Sequence, residues 1–147
     1  MPEEDVIERA REDEREGLSP STQAGEFVRE EMEHIREGKH GARSPQQAIA
    51  IGLSKARRAG VKLPPPKRGK VRTKRQAKRD LAKGRRGQRK PSPKRSRAVR
   101  GALKRESRRS ASRKALSRQA KRAAKSRSAA NRSRAAQKAA RTRKRRR

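Results

Sequence analysis

Apolar residues recur at helical spacing in two stretches of this chain. Phe27, Val28, Met32 and Ile35 fall on one face at steps of one, four and three, and Ala48, Ile49, Gly52, Leu53 and Ala56 do the same. The first stretch can start at Ser21 or Thr22 as N-cap and stops at Gly38. The second has a fuller start signal: Ser44 as N-cap, Pro45 at the first helical position and Gln47 three residues after the cap. Gly60 followed by Val61 suits a Schellman stop. The run QAIAIGL, the most apolar seven residues of the chain, therefore reads as helix and not strand.

Two short amphipathic helices joined by a turn are expected to pack as an antiparallel pair, with Gly52 on the buried face letting the backbones approach. Ile51 lies off the main stripe. Because roughly 40 residues rarely bury enough surface to stand alone, Ile51 and Phe27 are expected to close a homodimer or dock a protein partner.

The flanks have a different pattern. Residues 2–17 carry only Val6, Ile7 and Ala10 among acidic and basic side chains, which predicts a frayed, solvated acidic helix broken by Gly17-Leu18-Ser19-Pro20. Pro64-Pro65-Pro66 reads as a stiff spacer. Residues 67–147 contain 37 Lys and Arg and the acids Asp80 and Glu106, among Ala, Ser, Gly and Gln. From Ala102 onward neither Gly nor Pro occurs, so helix propensity is opposed only by like charges at i,i+4 such as Lys114–Arg118 and Lys121–Lys125. The predicted fold class is accordingly mostly α and disordered. It comprises an acidic N-terminal arm (1–20), a short helical hairpin (21–63), a polyproline spacer (64–66) and a long basic low-complexity tail (67–147), disordered and helix-prone when bound.

Composition explains that expectation. The chain holds 48 Lys and Arg against 15 Asp and Glu, a formal net charge of +33, with 27% hydrophobic and 1% aromatic residues. The charge is unevenly placed: residues 1–40 hold 13 acidic and 6 basic side chains, and residues 41–147 hold 2 and 42. No cysteine is present, which excludes disulfides, thiolate metal sites and cysteine nucleophiles. There is no apolar h-region and no run approaching the ~20 residues of a membrane span, so no membrane association is expected and the setting reads as cytoplasmic, at the nucleoid.

Lysine and arginine at this density displace condensed counterions from phosphates, and arginine also donates in bidentate geometry. The candidate nucleic-acid-binding residues are Lys67, Arg68, Lys70, Arg72, Lys74, Arg75, Lys78, Arg79, Arg85 and Arg86 in the first part of the tail. Arg108, Arg109, Arg113, Lys114, Arg118, Lys121, Arg122 and Lys125 follow, and Arg143, Lys144, Arg145, Arg146 and Arg147 close the chain. With one Phe and no Tyr or Trp to stack unpaired bases, duplex DNA is favoured over single strands, and structured RNA is the second candidate.

Catalytic chemistry is not indicated. No H-E-x-x-H, glycine-rich phosphate loop or G-x-S-x-G element occurs. His34 and His40, with Glu30 and Glu37 one turn from His34, could be assembled into a metal cluster, but a solvated acidic helix face is the plainer reading, so neither metal nor cofactor is expected. The function expected from sequence is largely nonspecific DNA binding by a nucleoid-associated or DNA-condensing accessory protein. The alternative is a protein-interaction module whose hairpin docks a partner while the tail localises it.

The segment GEFVREEMEHIREGKHGARSPQQAIAIGLSKARRAGVKLPPP, Gly25–Pro66, resembles a family of small, basic bacterial proteins of unknown function carrying a QAIAIGLS-like helix. The tail is similar in composition to the Ala/Lys/Arg-rich tails of linker-histone-like and nucleoid proteins. The resemblance implies a bacterial cytoplasmic setting and brings no catalytic residue with it.

Overall fold

The computed structural model describes residues 2–87 and 90–146. They divide into two compact units, Met1–Ser112 and Arg113–Arg147. The first contains α1 (Glu4–Arg15), α2 (Pro20–Arg36), α3 (Pro45–Arg58), α4 (Val71–Arg85), α5 (Pro93–Lys104) and a 3-10 turn at Arg108–Ala111. The second contains α6 (Arg113–Lys125) and α7 (Ala129–Arg145), and no strand occurs among the described residues.

Local chemistry fixes the boundaries of the first three helices. Pro20 opens α2 behind the N-cap Ser19. At α3 the Gln47 backbone N–H donates to Ser44 Oγ at 3.2 Å. The Gln47 side chain reaches back and accepts from the Arg43 N–H at 2.6 Å, one residue earlier than a standard capping box. Each of the three ends on a Schellman pair with glycine at positive φ. Leu18 and Gly17 donate to Asp13 and Glu14, Lys39 and Gly38 to His34 and Ile35, and Val61 and Gly60 to Ala56 and Arg57.

The core of the first unit is small. Val6 and Ala10 from α1, Ala24 and Phe27 from α2, Ala56 from α3, and Val61 form one buried cluster, with Ile7, Leu53, Ala59 and Leu63 packed against it. The acidic N-terminal helix is thus anchored by Val6 and Ala10, against the expectation of a solvated arm. Three apolar residues on one face are few for an isolated helix, yet enough once a neighbour covers them. Helices α2 and α3 cross where a Cβ on Gly52 would stand 2.7 Å from Val28 Cα. Phe27 is 1% exposed and so belongs to the core rather than to a docking face, while Val28, Ile49, Ile51 and Leu53 are half-buried and Met32 and Ile35 are buried.

The predicted fold class does not hold. A hairpin with a long disordered tail is replaced by helices throughout the described basic region, and 73% of the described residues are helical. Two physical reasons account for this. First, the acids and small residues of the tail are placed at contact points. Asp80, 1% exposed, accepts from Ser54 Oγ of α3 at 2.8 Å and from Gln76 Nε2 at 3.1 Å, with Arg58 Nε at 3.8 Å. Ala77 is buried on the same face, and Gly84 lies so close to the Arg57 carbonyl that no side chain would fit. Further on, the Gly41 and Ala42 N–H groups donate to the Leu103 and Ser107 carbonyls, and Arg36 Nε donates to the Ala111 carbonyl at 3.0 Å. Second, in the last 35 residues alanine and long unbranched cations sum to a helix preference that the i,i+4 repulsion, a few tenths of a kcal/mol per pair, does not overcome. Ser128 caps α7 by accepting from the Asn131 N–H.

The proline segment is not a free spacer either. Arg57, buried against it, donates from Nε to the Leu63 carbonyl at 3.1 Å and from Nη2 to the Pro64 carbonyl at 3.2 Å. Burial lowers the affinity of this guanidinium for its proton, and the nearby Asp80 charge opposes that shift.

Candidate functional site

Docking of α4 through Ala77 and Asp80 turns the rest of that helix outward. Arg72, Arg75, Lys78, Arg79, Lys83 and Arg85 are exposed and Lys74 is half-buried, with Lys67, Arg68 and Lys70 exposed ahead of the helix and Arg86 exposed at its C-cap. Helix α5 buries none of its residues, and Lys94, Arg95, Arg97, Arg100 and Lys104 all face solvent. The 3-10 turn brings Arg108 and Arg109 beside Arg36, and these three line a shallow groove with Ser107, Ala111 and Ser112.

In the second unit no residue of α6 or α7 is buried. Residues 113–147 hold 16 Lys and Arg and no acid. Arg113, Lys114, Arg118, Lys121, Arg122 and Lys125 are exposed on α6, and Arg143, Lys144, Arg145 and Arg146 at the end of α7; Arg147 lies outside the described residues. The structure adds Arg134, Lys138 and Arg141, which with Arg145 form one row along α7 at steps of four, three and four. Sequence reasoning had taken only the terminal cluster, because a helical row is visible only once the segment is known to be helical.

The other polar concentration lies in the first unit. Glu31 is 0% exposed, with Oε1 2.8 Å from His40 Nε2 and Oε2 2.6 Å from Lys55 Nζ. Glu30 is 3% exposed and accepts from the Glu3 backbone N–H at 2.6 Å. Glu3 in turn approaches His34 Nε2 at 3.1 Å and Lys39 Nζ at 3.2 Å, contacts that hold its carboxyl below the usual carboxylate range. Lys39 also meets Glu37 at 3.1 Å, and the two carboxylates raise its affinity for a proton. The face read from sequence as solvated is therefore partly interior. Glu31 and Lys55 were not singled out from sequence; the i,i+3 spacing of Glu31 and His34 was the available signal. Among the described residues, Glu31, His34 and His40 form one set, and Glu3, Glu30 and His34 another, in which one ligand atom from each residue lies within 4.8 Å of the others.

Residues 20–68 match the model of a family of unknown function (DUF6496). The matched span is roughly a third of the chain and takes in α2, α3 and the proline segment, leaving α1 and the basic helices outside. No curated protein and no solved structure matches the chain. No helix among the described residues is long and apolar enough to cross a membrane.

Proposed function

We propose that the protein binds duplex DNA through its phosphates, largely without sequence preference, as a DNA-condensing accessory protein. The observation that carries this reading is the second unit: α6 and α7 carry 13 of the 16 Lys and Arg of residues 113–147, with no acidic side chain in that stretch and no buried residue in either helix. A packed helix spends one face on its neighbour, whereas these spend none, and a surface of one sign raises the local concentration of the opposite charge. The outward faces of α4 and α5 extend the same chemistry to the first unit. Alanine and cations make up most of α7, with Asn131 and Gln137 its two amide side chains, and cations at this density act chiefly on the phosphate backbone. The lack of Tyr and Trp, and the burial of Phe27, leave no stacking platform for unpaired bases.

The test is a salt titration of the full chain against two duplexes of unrelated sequence. If the complex engages on the order of ten phosphates, log K falls with log salt at a slope near −9, and the two duplexes bind alike. A chain ending at Ser112 loses affinity and gives a shallower slope. A slope near zero, or strong preference for one duplex, refutes the reading, and tighter binding to folded RNA than to either duplex redirects it.

A further inference from the structure

We infer that Glu31, His34 and His40 form a binding site for a first-row divalent cation of the zinc type, linking the end of α2 to the loop before α3. Glu31 and His34 sit one turn apart on α2, at the i,i+3 spacing that places two ligands on one helix face. His40 comes from the loop, past the Schellman turn at Gly38 that reverses the chain toward them. Imidazole and carboxylate are the donor types that zinc takes in nitrogen and oxygen sites.

Two observations point to a cation. The first is the orientation of His40. Its Nδ1 lies 3.0 Å from the Gly41 carbonyl, an acceptor only, so Nδ1 carries the proton. Its Nε2 lies 2.8 Å from Glu31 Oε1, yet neither oxygen of this buried carboxylate has a hydrogen-bond partner among the described residues. A ring nitrogen that donates to a backbone carbonyl while the other faces a carboxylate is the arrangement that orients a metal-binding histidine.

The second observation is Glu30 Oε2, which is buried without a hydrogen-bond partner beside His34, in the second set of residues. Lys55 Nζ lies 2.6 Å from Glu31 Oε2, so Oε1, the oxygen nearer His40, is the one available to the ion. A tetrahedral ion with bonds of about 2.1 Å keeps its ligands about 3.4 Å apart, so the Glu31–His40 pair opens by roughly half an ångström on binding.

The composition makes the test clean, because the chain has two histidines and no cysteine. Full-length protein freed of metal with a chelator is titrated calorimetrically with zinc alone. Saturation at one ion per chain is expected, with affinity falling at least about tenfold in His34→Gln and in His40→Gln, and unchanged in Glu33→Gln, an exposed carboxylate on the same helix. Circular dichroism checks that the variants stay helical. Should a variant unfold, cobalt added to the wild-type chain decides the matter: a ligand-field spectrum displaced by zinc supports the site, and the spectrum of the hydrated ion overturns it. No saturable zinc uptake, or uptake unaffected by both histidine substitutions, leaves Glu31–His40 a proton-bridged ion pair and overturns the inference.

Discussion

Asp80 is the residue whose removal most directly tests how the basic region is held. Its carboxylate is 1% exposed and takes hydrogen bonds from Ser54 on α3 and Gln76 on α4, with Arg58 near. A hydrogen bond to a charged group contributes about 1.5–3 kcal/mol, so two would sum to about 3–6 kcal/mol if nothing opposed them. Two terms reduce that sum. Burying the carboxylate is itself unfavourable by several kcal/mol, and removing it removes that penalty too. Gln76 is exposed and Ser54 only half-buried, so both donors find water once the acceptor has gone. Asp80→Ala is therefore expected to destabilise the first unit by about 2–3 kcal/mol, which lowers the melting midpoint by roughly 10 °C or more. Asp80→Asn keeps the shape and one acceptor, and is expected to lose about 1 kcal/mol. Thermal melts followed by circular dichroism measure both, and amide exchange locates the loss: α4 loses protection while α2 and α3 keep theirs. Because the group is buried, the difference between wild type and Asp80→Ala should persist at 1 M salt, where the Debye length is about 3 Å. A difference that vanishes at high salt, or a variant within experimental error of wild type, would show that Asp80 is an ordinary surface charge and that α4 is held by something else.

Other substitutions probe the packing. Gly52→Ala would gain about 1 kcal/mol of helix propensity, but its Cβ would sit 2.7 Å from the Val28 backbone, which cannot rotate away. A net loss of about 1–2 kcal/mol in chemical denaturation is expected, and a stabilised variant would refute the close crossing. Val6→Ala removes two buried carbon atoms at about 0.8 kcal/mol each plus a cavity term, about 2 kcal/mol in all; an unchanged melt would mean that α1 is not part of the core. Ser128→Ala deletes the α7 cap and should reduce helicity by an amount equivalent to about 1 kcal/mol, read at 222 nm.

How much of this was legible beforehand depended on whether a signal was local. The start of α3 was, because Ser44, Pro45 and Gln47 act on their own backbone, and so was its end, where Gly60 and Val61 complete a Schellman pair with Ala56 and Arg57. The anchoring of α1 was not. Val6 and Ala10 make too narrow a stripe to announce a packed helix, and their burial depends on Phe27, Ala24 and Val61 arriving from elsewhere in the chain. The same holds for the acidic face of α2. Glu30 and Glu31 look solvated in a helical projection, and only the approach of Glu3, His40 and Lys55 from three other segments turns them inward.

The misreading of the tail has a different cause. Average charge density is a sound guide to disorder when the charges are interchangeable, but here the exceptions carry the structure. Residues 67–147 contain two acids, and both meet a cation from outside that region: Asp80 faces Arg58, and Glu106 faces Arg43 at 3.9 Å. The tail's own lysines and arginines are not consumed by these contacts. Asp80 thus attaches α4, and the Gly41 and Ala42 N–H groups attach the segment before the 3-10 turn, to the rest of the first unit while leaving the positive charge uncancelled. That division of labour shapes the expected response to salt. Loss of the proposed DNA binding with rising salt should come well before loss of helicity, because the lysines and arginines assigned to it are exposed and screened whereas Asp80 is buried. Parallel titrations of DNA binding and of ellipticity measure the two midpoints, and if they coincide, the fold itself depends on the exposed charges and the separation argued from Asp80 and Glu106 fails.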